Sequence, residues 1–226
     1  HAASVIPSTS YFVILGHFQT GFLVSQFNPK ELSSPLGAYY ERKNREGKDC
    51  MAITYVVNVP VTDVWASPRA GEEKERLTQA LLGDPVLTPD EDGFWVLGQV
   101  PDGYRGYVRR ADLVPASAAR SDTGATVVTA EAAIRLLDDP LSSEMKVYLG
   151  TCLKLAGGEA VKHTDTRYAV CLPDGKRGQI APDIVVLEPA PQDKLELAAT
   201  ALGYALLLLG APYLWGGITC AGVDCS

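Results

Sequence analysis

Histidine is scarce in this chain, with His1, His17 and His163 as its three copies, and none follows Cys225. No stretch approaches eighteen uncharged apolar residues, which argues against a membrane span. Basic residues are the minority: 20 Lys and Arg against 27 Asp and Glu give a net charge of -7, which argues against nucleic acid, whose phosphates need clustered Lys and Arg. A cationic or zwitterionic peptide remains compatible. The five cysteines, Cys50, Cys152, Cys171, Cys220 and Cys225, are odd in number and scattered, a pattern of free thiols in a reducing compartment and not of a disulfide framework. Cys220 and Cys225 lack the further Cys or His neighbours a zinc site requires, so neither metal nor cofactor is expected. Residues 1–50 lack a basic n-region, a compact apolar core and a small-residue cleavage site, so they do not read as a signal peptide. They show no sustained period and stay unassigned: an upstream extension before a plausible start at Met51, or an irregular subdomain.

What the chain does have is 46% hydrophobic content over 226 residues, enough for a globular protein of one or two domains. From Met51 onward it also repeats itself. Asp102-Gly103-Tyr104-Arg105-Gly106-Tyr107-Val108, then Asp112-Leu113-Val114, returns as Asp174-Gly175-Lys176-Arg177-Gly178-Gln179-Ile180, then Asp183-Ile184-Val185. Leu82 to Leu87 is matched in outline by Leu149 to Lys154, and Trp65-Ala66-Ser67-Pro68 by Leu137-Asp138-Asp139-Pro140. Short β-branched runs separated by Gly, Pro and Asp turns predict a small antiparallel barrel in each copy. The boundaries are 51–118 and 124–189. Asp-Gly pairs suit hairpin turns that need positive φ. Phe94, Trp95, Val96, Tyr107 and Val108 read as strand residues, whereas Tyr104 sits in a turn and is harder to explain as core.

After a linker at residues 190–192, Asp193 with Glu196 forms a capping-box pattern. Leu195, Ala199, Leu202, Leu206 and Leu209 then recur as one helical stripe, which Gly210 and Pro212 stop. Gly-Val-Asp-Cys-Ser at 222–226 has the look of a loop entering a helix. Asp224 could cap that helix and leave Cys225 in its first turn, where backbone N–H groups favour a thiolate. A lone cysteine is more often a small buried apolar residue.

Pro212-Tyr213-Leu214-Trp215-Gly216-Gly217, a short spacer, and Gly222-Val223-Asp224-Cys225-Ser226 resemble the opening of the NlpC/P60 cysteine peptidase domain. The repeat resembles the bacterial SH3 domain, in which a Gly-bearing turn and then Gly-aromatic-Val or Gly-x-Ile introduces a late strand. Together they imply a mainly β chain: two tandem SH3-like barrels, then, over residues 190–226, the first helix and nucleophile loop of a papain-like α+β domain. The resemblance makes Cys225 the nucleophile. In the family the activating His and its orienting partner lie many tens of residues past the Cys, so the chain as given is expected to be inactive. The helix would normally pack on elements beyond Ser226, so its Leu206–Leu209 run is expected to be exposed, or else packed against a barrel or a second chain.

The arrangement further resembles peptidases that cut cell-wall peptides between D-Glu and the following diamino acid when L-Ala is free at the N-terminus. That resemblance implies substrate binding by Asp224 and Ser226 beside the Cys, by Tyr213 through its hydroxyl, and by a barrel tyrosine, Tyr104. It also implies a barrel acid two residues before a Gln-Ala pair, where Leu77 stands and Glu75 is the nearest acid. The partner expected is thus a murein peptide, with no nucleic acid and no membrane; the oligomeric state is open. Cytoplasmic recycling is the leading setting. The alternatives are a secreted peptidoglycan hydrolase with wall-binding barrels, and a non-catalytic binding module.

Overall fold

In the computed structural model the described residues are 53–68, 75–88, 93–116, 124–141, 143–156, 167–187 and 194–225. The unassigned segment 1–50, the capping residue Asp193 and Ser226 lie outside them.

Seven strands form the first sheet: β1 (Ile53–Val57), β2 (Val61–Trp65), β3 (Arg76–Leu81), β4 (Pro85–Thr88), β5 (Trp95–Gln99), β6 (Arg105–Arg109) and β7 (Leu113–Pro115). Seven more form the second: β8 (Gly124–Val127), β9 (Glu131–Leu136), β10 (Glu144–Tyr148), β11 (Cys152–Leu155), β12 (Tyr168–Cys171), β13 (Arg177–Ile180) and β14 (Val185–Leu187). Their spatial orders are β3-β2-β6-β5-β4-β1-β7 and β10-β9-β13-β12-β11-β8-β14. These are one topology repeated, with antiparallel pairing throughout.

Alternation drives each sheet to enclose a core. Thr62 and Val64 on β2 are buried between less buried neighbours, and Val64, Val86 and Val108 are fully buried in the first core, each contributing about 1.5–3 kcal/mol by burial. Ile134, Val147 and Ile180 do the same in the second. The two units share a seam: Leu82, from the first sheet's β3–β4 turn, is buried in the second core, and Asp174 N–H donates to Asn58 Oδ1 at 3.2 Å.

The repeated residues have repeated jobs. Gly103 and Gly175 adopt φ of 90° and 86°, and Asp102 and Asp174 each accept the N–H two residues on, at 2.9 and 3.1 Å. Gly106 and Gly178 lack a Cβ because one would lie 2.7 Å from Val64 Cγ1 and 2.4 Å from Ile134 Cγ2. Asp84 and Thr151 are equivalent too: each side chain accepts the N–H three residues back, from Leu81 and Tyr148.

Two sequence expectations need correction. Ala66 N–H bonds Glu75 O where Leu136 N–H bonds Ser143 O, so the counterpart of Trp65 is Arg135 and not Leu137; the loop lengths of the two copies differ. Phe94 is no strand residue but 93% exposed. Trp95 and Tyr107 are half-buried in β5 and β6.

Helix α1 (Lys194–Leu207) follows, and the chain turns away through Gly210 at φ 88°. Of the Leu206–Leu209 run, Leu206, Leu207 and Leu209 are exposed and Leu208 is partly buried; Leu202 on the same helix is exposed as well. Among the described residues no helix is long and apolar enough to cross a membrane.

Candidate active site

The nucleophile segment folds as a compact loop. Strands β15 (Ile218–Thr219) and β16 (Gly222–Val223) pair as a hairpin, and Tyr213 bridges Val223 in parallel. Val223 N–H donates to Pro212 O at 3.0 Å and Leu214 N–H to Val223 O at 2.8 Å. The motif glycines permit this closeness: a Cβ on Gly217 would lie 2.4 Å from Gly222 O, and one on Gly222 would lie 2.4 Å from Leu214 Cβ. No L side chain fits there.

Asp224 ties the end of the loop to its start. Its Oδ2 accepts the Gly216 N–H at 3.0 Å, and its own N–H donates to Gly217 O at 3.2 Å. The carboxylate is thus engaged backwards onto the glycine turn, while any forward cap falls outside the described residues. Cys225 follows directly and is a free, exposed thiol. Tyr213 is 64% exposed and free to meet a ligand; Trp215 is similarly open to solvent.

The first sheet holds this loop from outside. Arg76 Nη1 donates to Trp215 O at 3.0 Å, and Gln79 Oε1 accepts the Ile218 N–H at 3.2 Å. Both side chains are set by Asp63 on the neighbouring strand. Gln79 Nε2 donates to Asp63 Oδ1 at 2.9 Å, and Arg76 Nε lies 2.8 Å from the same oxygen as an ion pair, bent away from hydrogen-bond geometry. The Arg76 guanidinium also lies over the Trp65 ring, 5.3 Å from its centroid, a favourable cation–π contact. Gly216, at φ 66°, is pressed against Arg76, where a Cβ would come within 3.0 Å of Arg76 Cγ and O.

Between sheet and loop lies an open cleft of about 410 Å³, lined by Trp65, Glu75, Arg76, Leu214 and Trp215. Glu75 is exposed on its wall, and among the described residues no cation pairs with it. Tyr104 is not among the lining residues. It packs half-buried against the first core, because the preceding Asp102 is held by Thr78 Oγ1 at 2.8 Å on the core side of β3, whereas the cleft lies on the outer side. Tyr107 is the tyrosine opposite Trp65 on that outer face.

Asp63, Trp65, Arg76 and Gln79 escaped sequence reasoning as site residues. Their one signal was polar and aromatic residues at the outward positions of two predicted strands. Among the described residues no group of three or more His, Cys, Asp or Glu is arranged to hold a metal ion.

Two antiparallel sheets share one topology, and the first grips a glycine-rich loop that ends in an exposed cysteine. Known proteins resemble this chain at both levels. Residues 68–113 match the family described as bacterial dipeptidyl-peptidase Sh3 domain. Two relatives are the gamma-D-glutamyl-L-lysine dipeptidyl-peptidases of Bacillus subtilis (strain 168), 30% identical over 66% of this chain and 49% of its own length, and of Bacillus cereus (strain ATCC 10987 / NRS 248), 27% identical over 66% and 47%. This chain therefore spans about half the length of each. The fold resembles the crystal structure of an NlpC/P60 family protein from Bacillus cereus ATCC 10987, with a TM-score of 0.64 and 20% identity over 76% of this chain and 68% of that one. The homologues of this chain are thus peptidases.

Proposed function

We propose that the protein is a cysteine peptidase that cleaves the bond between γ-D-Glu and a diamino acid in cell-wall peptides with a free N-terminal L-Ala. The observation that carries this reading is the joint cleft: the loop bearing Cys225 is fastened to the outer face of the first barrel, with a carboxylate, Glu75, on the cleft wall. The names of the two homologous peptidases support the bond type.

In this reading the Cys225 thiolate attacks the γ-carbonyl carbon, the diamino acid leaves as its amine, and water then hydrolyses the thioester. In the same reading the hydroxyl of the largely exposed Tyr213 donates to substrate or to the developing oxyanion. Glu75 offers the charge that a substrate ammonium needs when it leaves water. Asp224, spent partly on Gly216 N–H, and Ser226 complete the binding set, and the barrel hydroxyl is assigned to Tyr107, which pairs with Trp65, in preference to Tyr104, which packs on the core. The resemblance puts the activating histidine after the nucleophile. Residues 1–226, in which every histidine precedes Cys225, are accordingly proposed to lack turnover by themselves. Selection of a free amine suits a substrate already released from its glycan, and so recycling in the cytoplasm.

Release of L-Ala-γ-D-Glu from L-Ala-γ-D-Glu-L-Lys by the intact protein, abolished in Cys225→Ala, is the expected result. Equal release by Cys225→Ala, or none by the intact protein, contradicts the proposal.

A further inference from the structure

The two sheets share one topology, yet the positions that grip the nucleophile loop are filled differently. Opposite pairs Asp63 with Gln79 and Trp65 with Arg76 in the first sheet correspond to Ala133 with Lys146 and Arg135 with Glu144 in the second. Lys146 is instead drawn to Glu131, 2.8 Å away on the exposed surface. A barrel can thus be built on this topology without the Asp-Arg-Gln set, so core formation does not explain its presence.

Arg76 is also fully committed. Its Nε faces Asp63 Oδ1 and its Nη1 binds Trp215 O, while the guanidinium plane covers Trp65. A fork so occupied is pre-organised to hold a backbone and has little left for a ligand. From it a short chain of contacts runs to the thiol: Trp215 O and the seat of Gly216 on Arg76, Gly216 N–H on the Asp224 carboxylate, Asp224 N–H on Gly217 O, then Cys225. Gln79 fixes the far side of the same turn at Ile218.

We propose that Arg76 and Gln79, braced by Asp63, are positioning residues that set the aim of Cys225 by holding the Trp215–Ile218 turn. The proposal rests on the reading of Cys225 as the nucleophile.

It is tested in the intact protein with Arg76→Ala combined with Asp63→Asn, which removes both charges and strands neither, and separately with Gln79→Leu. Amide exchange at Gly216 and Ile218 is expected to quicken at least tenfold while Val64 and Val108 in the barrel stay protected. With L-Ala-γ-D-Glu-L-Lys, kcat should fall at least tenfold and KM change less than threefold, since the cleft wall at Glu75 remains. Arg76→Lys, which keeps the charge, should recover part of kcat. Unchanged exchange at Gly216 and Ile218 overturns the proposal, as does faster exchange with kcat unaltered. If wild type cleaves no such peptide, the peptidase reading fails by itself, and unchanged or quickened exchange still decides whether the barrel holds the loop.

Discussion

Asp84 shows how much one side chain can differ between otherwise repeated units. Its carboxylate accepts the Leu81 N–H at 2.7 Å, work that neutral Thr151 does in the second sheet. Burial pushes the Asp84 carboxyl up to about 7, and the nearby Asp102 charge adds to this. The folded state therefore holds this proton more tightly than the unfolded chain does. The stabilising contribution is complete below about pH 4 and is lost as pH rises towards 7, at about 1.4 kcal/mol per unit. The protein is expected to resist denaturant better at pH 5 than at pH 8, and Asp84→Asn, which keeps the acceptor, to flatten that slope. Denaturation midpoints at the two pH values check both. Asp138 acts in another window: hydrogen bonds from Arg177 hold its pKa below the usual value, so its contribution is present above about pH 4 and is lost in stronger acid.

Among the elements, the late hairpin of each sheet was the most legible in sequence. Its Asp-Gly turn and its second glycine act locally or against one neighbouring strand, so residue type nearly determines the geometry. Gly106→Ala would drive a methyl into Val64 Cγ1 and the Trp65 carbonyl. A loss of about 1–3 kcal/mol from overpacking is expected, read as a lowered unfolding midpoint, with Gly178→Ala behaving alike in the second sheet. The helix itself was legible from its spacing of about 3.6 residues, but the exposure of its leucines followed from the family resemblance and not from that spacing. The grip on the nucleophile loop was not legible. It depends on β2 and β3 lying side by side in one register and on the loop returning from more than a hundred residues away, which no local pattern encodes. The packing of Tyr104 was not legible either: a turn position suggests exposure, whereas the part-buried Asp102–Thr78 bond draws that turn towards the core.

For the molecule as a whole, the sheets are less independent than the repeat implied. Leu82 belongs to the first by sequence and to the second by burial, and a Cβ on neighbouring Gly83 would lie 2.5 Å from Cys152 O. Leu82→Ala is expected to cost about 2–5 kcal/mol and to speed exchange at Ile134 and Val170 more than at Val64 and Val108. The reverse order would show two self-sufficient barrels. With the seam on one side and the Arg76–Gln79 grip on the other, the first sheet joins the second to the nucleophile loop.

The central claim is that the first barrel and the nucleophile loop form one cleft selecting a free amine, and Glu75 tests it better than Asp224, whose substitution would also loosen Gly216. The decisive measurement compares kcat/KM of the intact protein for L-Ala-γ-D-Glu-L-Lys and for the same peptide acetylated at its N-terminus, in wild type and in Glu75→Gln. Wild type is expected to prefer the free amine strongly, and Glu75→Gln to reduce that preference about tenfold, equivalent to about 1.4 kcal/mol. Equal rates on the two peptides in wild type would contradict it and favour a secreted hydrolase acting on glycan-linked peptides.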